Sequence, residues 1–205
     1  MQVLEEYYED LLNINTRGNK REINHSIHYH PYEPTPYSAL EELFRHYEVQ
    51  SNDHIVDFGC GKGRLIFYIN YHFHAPVTGI EMNNAFFEAA TKNRDCYSKK
   101  THRNSDAIHF HRCLAEQYTI QPDDNRFYFF NPFSIQIFRK VLNNILLSVE
   151  DHRREMDLIF YYASDEYTYF LEQHTEFELL KEVQLPKLYA KNNYERFLIY
   201  RLKYS

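Results

Sequence analysis

The sequence predicts an α/β fold: a doubly wound, mostly parallel sheet of seven strands with a final antiparallel strand pair and an N-terminal helical and loop cap. Three observations carry that prediction. A short apolar strand over residues 55–58 runs straight into a glycine loop and then into an apolar helix. Short apolar runs then alternate with amphipathic stretches, each pair reading as a strand followed by a helix, as in a parallel sheet with crossovers. The last two periodic segments, 177–185 and 197–202, both alternate as strands with no predicted helix between them.

Composition sets the frame. A chain of 205 residues suits one compact domain with a sizeable core, here read as a cap and lead-in helix over 1–50 and a core over 51–205. The net charge of −6, from 23 basic and 29 acidic residues, argues against a broad electrostatic grip on nucleic acid. The three cysteines Cys60, Cys96 and Cys113 have no paired spacing, so neither a disulfide framework nor a zinc ribbon is indicated, and a reducing, cytoplasmic setting fits. The acidic start lacks the layout of a signal peptide, and no apolar run approaches the ~18–20 residues of a membrane span. With 19 Tyr and 16 Phe but no Trp, tyrosine-lined grooves beside a phenylalanine-rich core are expected.

In chain order, Leu4, Tyr7, Tyr8, Leu11 and Leu12 fall at helical spacing, and residues 13–18 break that helix. His25, His28 and His30 read as solvated or hydrogen-bonding side chains, since no further ligand at a sensible offset makes them a metal site. The two prolines in 32–37 make a stiff segment. It leads into a helix from Ser38, which the spacing to Glu41 marks as a capping box. After the glycine loop come a helix over 65–71, a second strand ending at Glu81, and a helix over 84–100 with Phe86, Phe87, Ala89, Ala90 and Cys96 among its apolar positions. Residues 99–103 read as a basic, solvated turn and 107–113 as a strand with His109 and His111 on one face near a sheet edge. Residues 127–130 are four aromatics in a row, a strand buried on both faces that ends in Asn131-Pro132-Phe133. A helix over 138–149, a strand over 158–162 and a helix over 167–173 precede the final strand pair.

The chain has five glycines and spends three of them at 59, 61 and 63. Glycine placed so selectively serves positive φ or close approach of main chain to a ligand. Arg64 stands where the dinucleotide fingerprint needs its third glycine, which disfavours a nicotinamide oxidoreductase. Glu81 then ends the second strand, where a carboxylate accepts both hydroxyl hydrogens of a ribose. The pattern suits a nucleoside.

Asp57-Phe58-Gly59-Cys60-Gly61-Lys62-Gly63 resembles motif I of the class I, seven-β-strand S-adenosylmethionine-dependent methyltransferases, and Glu81 resembles their ribose-binding acid. The resemblance extends over nearly the whole chain. It implies S-adenosyl-L-methionine as cofactor, with Asp57 orienting its amino group directly or through water. Gly59, Cys60, Gly61, Gly63 and Met82 would lie along it, Glu81 at the ribose, and Ala115 at the adenine. Leu114 replaces the acidic residue the family usually has before that alanine, leaving adenine to backbone groups or to Glu116. By the same resemblance, Thr35 and Tyr37 become pocket residues, with a rigid packing linker as the other reading. Asn131-Pro132-Phe133 resembles the (Asn/Asp)-Pro-Pro-(Tyr/Phe) loop of methyltransferases acting on amino or amide nitrogens, with one proline missing. There a side-chain oxygen and a backbone carbonyl hold the nitrogen while the ring stacks on a planar group. A more restricted resemblance, to uncharacterised bacterial methyltransferase-like proteins, rests on the leader 15–18, on 32–36, on the loop through Arg64 and on Phe130-Asn131-Pro132-Phe133. It supplies no substrate. The methyl acceptor is expected to be a protein side chain or small molecule rather than RNA, and Tyr29, Tyr32 and Tyr37 could face a cationic amine or simply pack. A non-catalytic nucleoside-binding or regulatory module of the same fold remains the alternative.

Overall fold

A computed structural model describes residues 2–18, 32–103 and 105–202. The elements are α1 (Gln2–Leu12), α2 (Tyr37–His46), β1 (His54–Phe58), α3 (Arg64–Phe73), β2 (Val77–Ile80), α4 (Asn84–Thr101), β3 (Ile108–His111), β4 (Asp124–Phe129), α5 (Ile135–Asp151), β5 (Asp157–Tyr161), α6 (Asp165–His174), β6 (Phe177–Gln184), α7 (Pro186–Tyr189) and β7 (Arg196–Leu202). The seven strands form one sheet in the order β3-β2-β1-β4-β5-β7-β6. Strands β1 to β5 pair in parallel, and β7 runs antiparallel between β5 and β6. The chain order reverses between β1 and β4, which opens a crevice at their carboxyl ends.

Both faces of β1, β2, β4 and β5 are covered, which is why these strands read as near-continuous apolar runs, while the edge strands β3 and β6 are largely exposed. Ile55, Val77, Tyr128 and Ile159 pack with α1, α2 and α3 on one face. Val56, Phe127, Phe129 and Phe160 pack with α5 and α6 on the other. The rings of Phe58, Phe129 and Phe160 stack across three strands at 5.2 and 5.1 Å between centroids, each adding about 0.5–1.5 kcal/mol beyond its buried area.

The leader is fastened to the core by one guanidinium. Arg64, the first residue of α3, is buried and donates to Glu5 at 2.5 Å, Glu9 at 3.4 Å, Thr16 Oγ1 at 2.8 Å and the Thr35 carbonyl at 3.1 Å. It also lies over the Tyr37 ring, 4.4 Å from the centroid. Asn93 adds a second fastening, accepting from the Asn15 amide at 3.0 Å and donating to the Lys62 carbonyl at 3.0 Å.

Several local expectations are corrected. Helix α2 starts at Tyr37 with Pro36 as its cap residue, so Ser38 makes no capping box. The Glu41 carboxylate instead accepts the Tyr8 hydroxyl at 2.9 Å. Helix α4 is capped by Asn83 and buries Phe86, Ala90, Asn93 and Tyr97, while Phe87, Ala89 and Cys96 are only half-buried. Part of the basic 99–103 stretch continues this helix through Thr101, and Arg103 bonds the Tyr71 carbonyl at 3.1 Å. Strand β3 is the sheet edge, with His109 and His111 exposed. Helix α7 was not expected; Pro186 starts it, where a missing N–H costs nothing. His25, His28, Tyr29 and His30 lie outside the described residues. Among the described residues, no helix is long and apolar enough to cross a membrane and no group of His, Cys, Asp and Glu is placed to hold a metal.

Candidate active site

The glycine loop leaves β1 with φ of +82° at Gly59, +55° at Gly61 and +88° at Gly63, a left-handed path that L side chains resist. It turns the chain from strand into α3, with the Gly59 and Cys60 amides donating to the Ile80 carbonyl and the Gly63 amide to the Cys60 carbonyl. Glu81, immediately after β2, is buried and bridges this loop to the next element. It accepts the Gly61 amide at 2.9 Å and the Asn83 amide at 2.7 Å. Burial raises its carboxyl above the usual range, and the amides of Asn83, Gly61 and Met82 oppose that shift. Its placement suits a ribose, but it also holds the loop by itself. Met82 is half-buried beside it. Cys60 is buried, its Sγ 2.6 Å from the position of a β-carbon on Gly79, so this thiol fills the floor of the loop.

Asp57 is the chemically loaded residue. It is 5% exposed and receives no hydrogen bond among the described residues. Burial first, and the nearby Glu81 second, push its carboxyl up to about 8. It lines a cavity of about 30 Å³ with Glu33, Thr35, Arg64, Tyr128 and Phe130. The Arg64 charge in that wall is already taken by Glu5 and Glu9. A carboxyl left this way stays protonated near neutral pH until a cationic donor meets it.

The lead-in segment closes this space from outside. A β-carbon on Gly61 would lie only 2.1 Å from Cε2 of the Tyr32 ring, which packs on Phe86 at 4.7 Å and donates its hydroxyl to the Thr16 carbonyl at 2.6 Å. Thr35 lines the cavity, its Oγ1 2.7 Å from the Tyr128 hydroxyl. Tyr37 does not line it. Its ring is fully buried beneath Arg64 and its hydroxyl donates to Glu9 at 3.1 Å, the packing role that its sequence left open.

At the end of β4 the second loop meets the first. Asn131 has φ +39°, and Pro132 lies against Gly59. Phe133 departs from expectation: it is 1% exposed, packs edge-on to Phe129 at 6.2 Å, and its carbonyl accepts the Tyr167 hydroxyl. A ring held in the core cannot stack on an acceptor. The half-buried aromatic beside Asn131 that does face the cavity is Phe130. Sequence reading missed Phe130 and Tyr128. Strand alternation could have found them, since Tyr128 stands opposite Asp57 in the sheet register and Phe130 shares its face. Ala115 is buried in a short turn after β3. The Glu116 beside it pairs with Lys140 at 4.0 Å, and Leu114 precedes them half-buried.

A family model described as a methyltransferase domain matches residues 49–193. The chain belongs to this methyltransferase domain family. No curated protein matches it. Among solved structures, this methyltransferase is similar to an RNA methyltransferase from Salinibacter ruber in complex with S-adenosyl-L-homocysteine, at TM-score 0.60 and 15% identity over 84% of this chain and 95% of that one. It is also similar to a geranyl diphosphate C-methyltransferase from Streptomyces coelicolor A3(2), at 0.56 and 12% over 82% and 79%. A SAM-dependent methyltransferase from Thiobacillus denitrificans, again in complex with S-adenosyl-L-homocysteine, aligns at 0.54 and 11% over 84% and 92%. At these identities the likeness is one of fold, and the first two are named for acceptors as different as RNA and a diphosphate ester. Within the methyltransferase, Asp57, Gly59, Cys60 and Thr35 line the cavity, Pro132 lies against Gly59, and Glu81 holds Gly61. Tyr37 and Phe133 are core residues.

Proposed function

We propose that the protein transfers a methyl group from S-adenosyl-L-methionine to a nitrogen of a small molecule or protein side chain. The observation that carries this reading is the meeting of the glycine loop and the Asn-Pro-Phe loop at the carboxyl ends of adjacent strands, with Asp57 buried and awaiting a cation between β1 and the lead-in. When bound, the cofactor supplies a methyl carried on a sulfonium. Asp57 would hold the ammonium and Glu81 would take the ribose hydroxyls. Asn131 accepts an N–H from the acceptor nitrogen and aims its lone pair. Such alignment accounts for up to ~7–11 kcal/mol of barrier. Because the cavity beside Asp57 is only about 30 Å³ while ligand sites commonly need about 300 Å³ or more, the 32–35 lead-in shifts outward to admit the nucleoside.

Calorimetric titration with S-adenosylmethionine and S-adenosylhomocysteine tests the reading. Micromolar binding is expected, absent in Gly61→Arg, whose side chain fills the loop; no binding to either ligand overturns it. A non-catalytic nucleoside-binding module is the second reading, favoured by the burial of Phe133. Methyl transfer to any acceptor ends that alternative.

A further inference from the structure

Beyond Asn131, the crevice is walled by aromatic rings. Phe130 packs on Tyr161 at 4.6 Å, Tyr161 is followed by Tyr162 at 6.4 Å, and Tyr162 packs on Tyr194 at 5.4 Å. Asn192 donates to the Tyr162 hydroxyl at 2.7 Å, which holds that ring in place. Two carboxylates converge on the same wall. Glu195 accepts the Tyr161 hydroxyl at 2.5 Å. Glu33 lines the Asp57 cavity together with Phe130, the ring that packs on Tyr161.

The charges along this path do not balance. Neither Glu33 nor Glu195 has an ion-pair partner among the described residues. Arg64 in the cavity wall is committed to Glu5 and Glu9, and Arg196, next to Glu195 in sequence, to Glu182 at 3.2 Å. Deeper in the same cavity, Asp57 is nine-tenths buried and receives no hydrogen bond among the described residues. Glu33 and Glu195 make the mouth of the crevice acidic and aromatic, a combination that attracts organic cations and repels phosphates and carboxylates.

We infer that the methyl acceptor is a cationic amine, primary or secondary, whose charged nitrogen is held by Glu33 and Glu195 and whose body lies on Phe130 and Tyr162. The inference rests on the methyltransferase reading and adds the substrate class to it. The bound ammonium, R–NH3⁺, first gives one proton to a carboxylate of the pair and through it to water. The freed lone pair of R–NH2 then forms the N–CH3 bond as the methyl–sulfur bond breaks. That bonding pair stays on sulfur as a neutral thioether, and the product R–NH2⁺–CH3 carries the positive charge. Asn131 orients the nitrogen while this happens.

Binding of matched probes to the full chain saturated with S-adenosylhomocysteine tests the inference. The probes are 2-phenylethylamine against 2-phenylethanol and 3-phenylpropanoic acid, and 1,4-diaminobutane against 1,4-butanediol and succinate, each followed by calorimetry. In at least one set the amine should bind tenfold or more tighter than both partners. That preference should vanish in Glu33→Gln with Glu195→Gln. Tyr162→Leu should weaken the amine several-fold while Tyr161, Glu33 and Glu195 stay in place. Equal binding of amine and alcohol, tighter binding of the acid, or a preference that survives the double substitution overturns the inference. Cofactor-product affinity in each variant reports folding and the cofactor site separately. If S-adenosylhomocysteine binds and the amine preference is absent, the acceptor class falls and the methyltransferase reading stands.

Discussion

Pro132 Cβ lies 2.8 Å from the position a β-carbon on Gly59 would occupy. The loops that end β1 and β4 therefore touch through a glycine that must stay bare, and that contact sets their positions relative to each other. Gly59→Ala must push Pro132 away and also hold φ near +82°. We expect a stability loss of about 1–3 kcal/mol from the backbone alone, read by urea unfolding, with weakened cofactor binding in calorimetry. An alanine variant with wild-type midpoint and affinity would show that the two loops move independently.

Arg64 joins the leader to the glycine loop with both its carboxylate partners tucked under it. Arg64→Met leaves Glu9, itself 5% exposed, without its cation and should destabilise the protein by about 3–5 kcal/mol. Adding Glu9→Gln should recover part of the loss, because the stranded charge is then gone. Chemical denaturation of the three proteins checks both statements.

The Asp57 carboxyl, raised to about 8, makes cofactor affinity depend on pH with a definite sign. Below that value the free protein carries the proton on Asp57, so seating an ammonium releases it, and affinity should climb about tenfold per pH unit toward 8. An α-amino group itself loses its proton near about 8, so affinity should fall again above it. Stability of the ligand-free protein runs the other way. The folded state holds this proton where the unfolded chain does not, so on this group's account stability declines as pH rises from about 4 to about 8. Titrations of S-adenosylhomocysteine across this range should show the rising limb in the wild type and not in Asp57→Asn.

Tyr32 occupies the face of Gly61 and is tied to the Thr16 carbonyl. Displacing it lowers apparent affinity by the fraction of time the lead-in stands open. Tyr32→Ala should accordingly bind cofactor product as tightly or more tightly, with a faster association rate in stopped-flow measurements. Slower association would make Tyr32 part of the binding surface instead of its cover.

Asn131 adopts φ +39°, a conformation asparagine and glycine tolerate best. Both Asn131→Ala and Asn131→Gly should lower methyl transfer by about a hundredfold or more while cofactor binding is retained. The glycine variant keeps the backbone free of strain, so unchanged turnover in it would remove the nitrogen-holding role.

The elements of the sheet were legible because strands buried on both faces must be apolar throughout, and because a chain with so few glycines reveals where it needs positive φ. Asp57, Glu81 and the three loop glycines could be placed from spacing alone, since a strand–loop–helix unit leaves them little choice of position. Helix boundaries near Pro36 and Pro186 were less readable, because a proline's fixed φ starts a turn without the polar cap that marks others. What the sequence by itself determined is the sheet and the cofactor-side loop, both set by local periodicity and backbone conformation. Only the tertiary structure decided that Phe133 and Tyr37 belong to the core, that Phe130 faces the crevice, and that Glu33 shares a cavity with Asp57 while Glu195 holds the neighbouring Tyr161 hydroxyl. Each of those facts depends on which way a side chain points once distant strands are in register, and neighbours in space, not neighbours in sequence, set that direction.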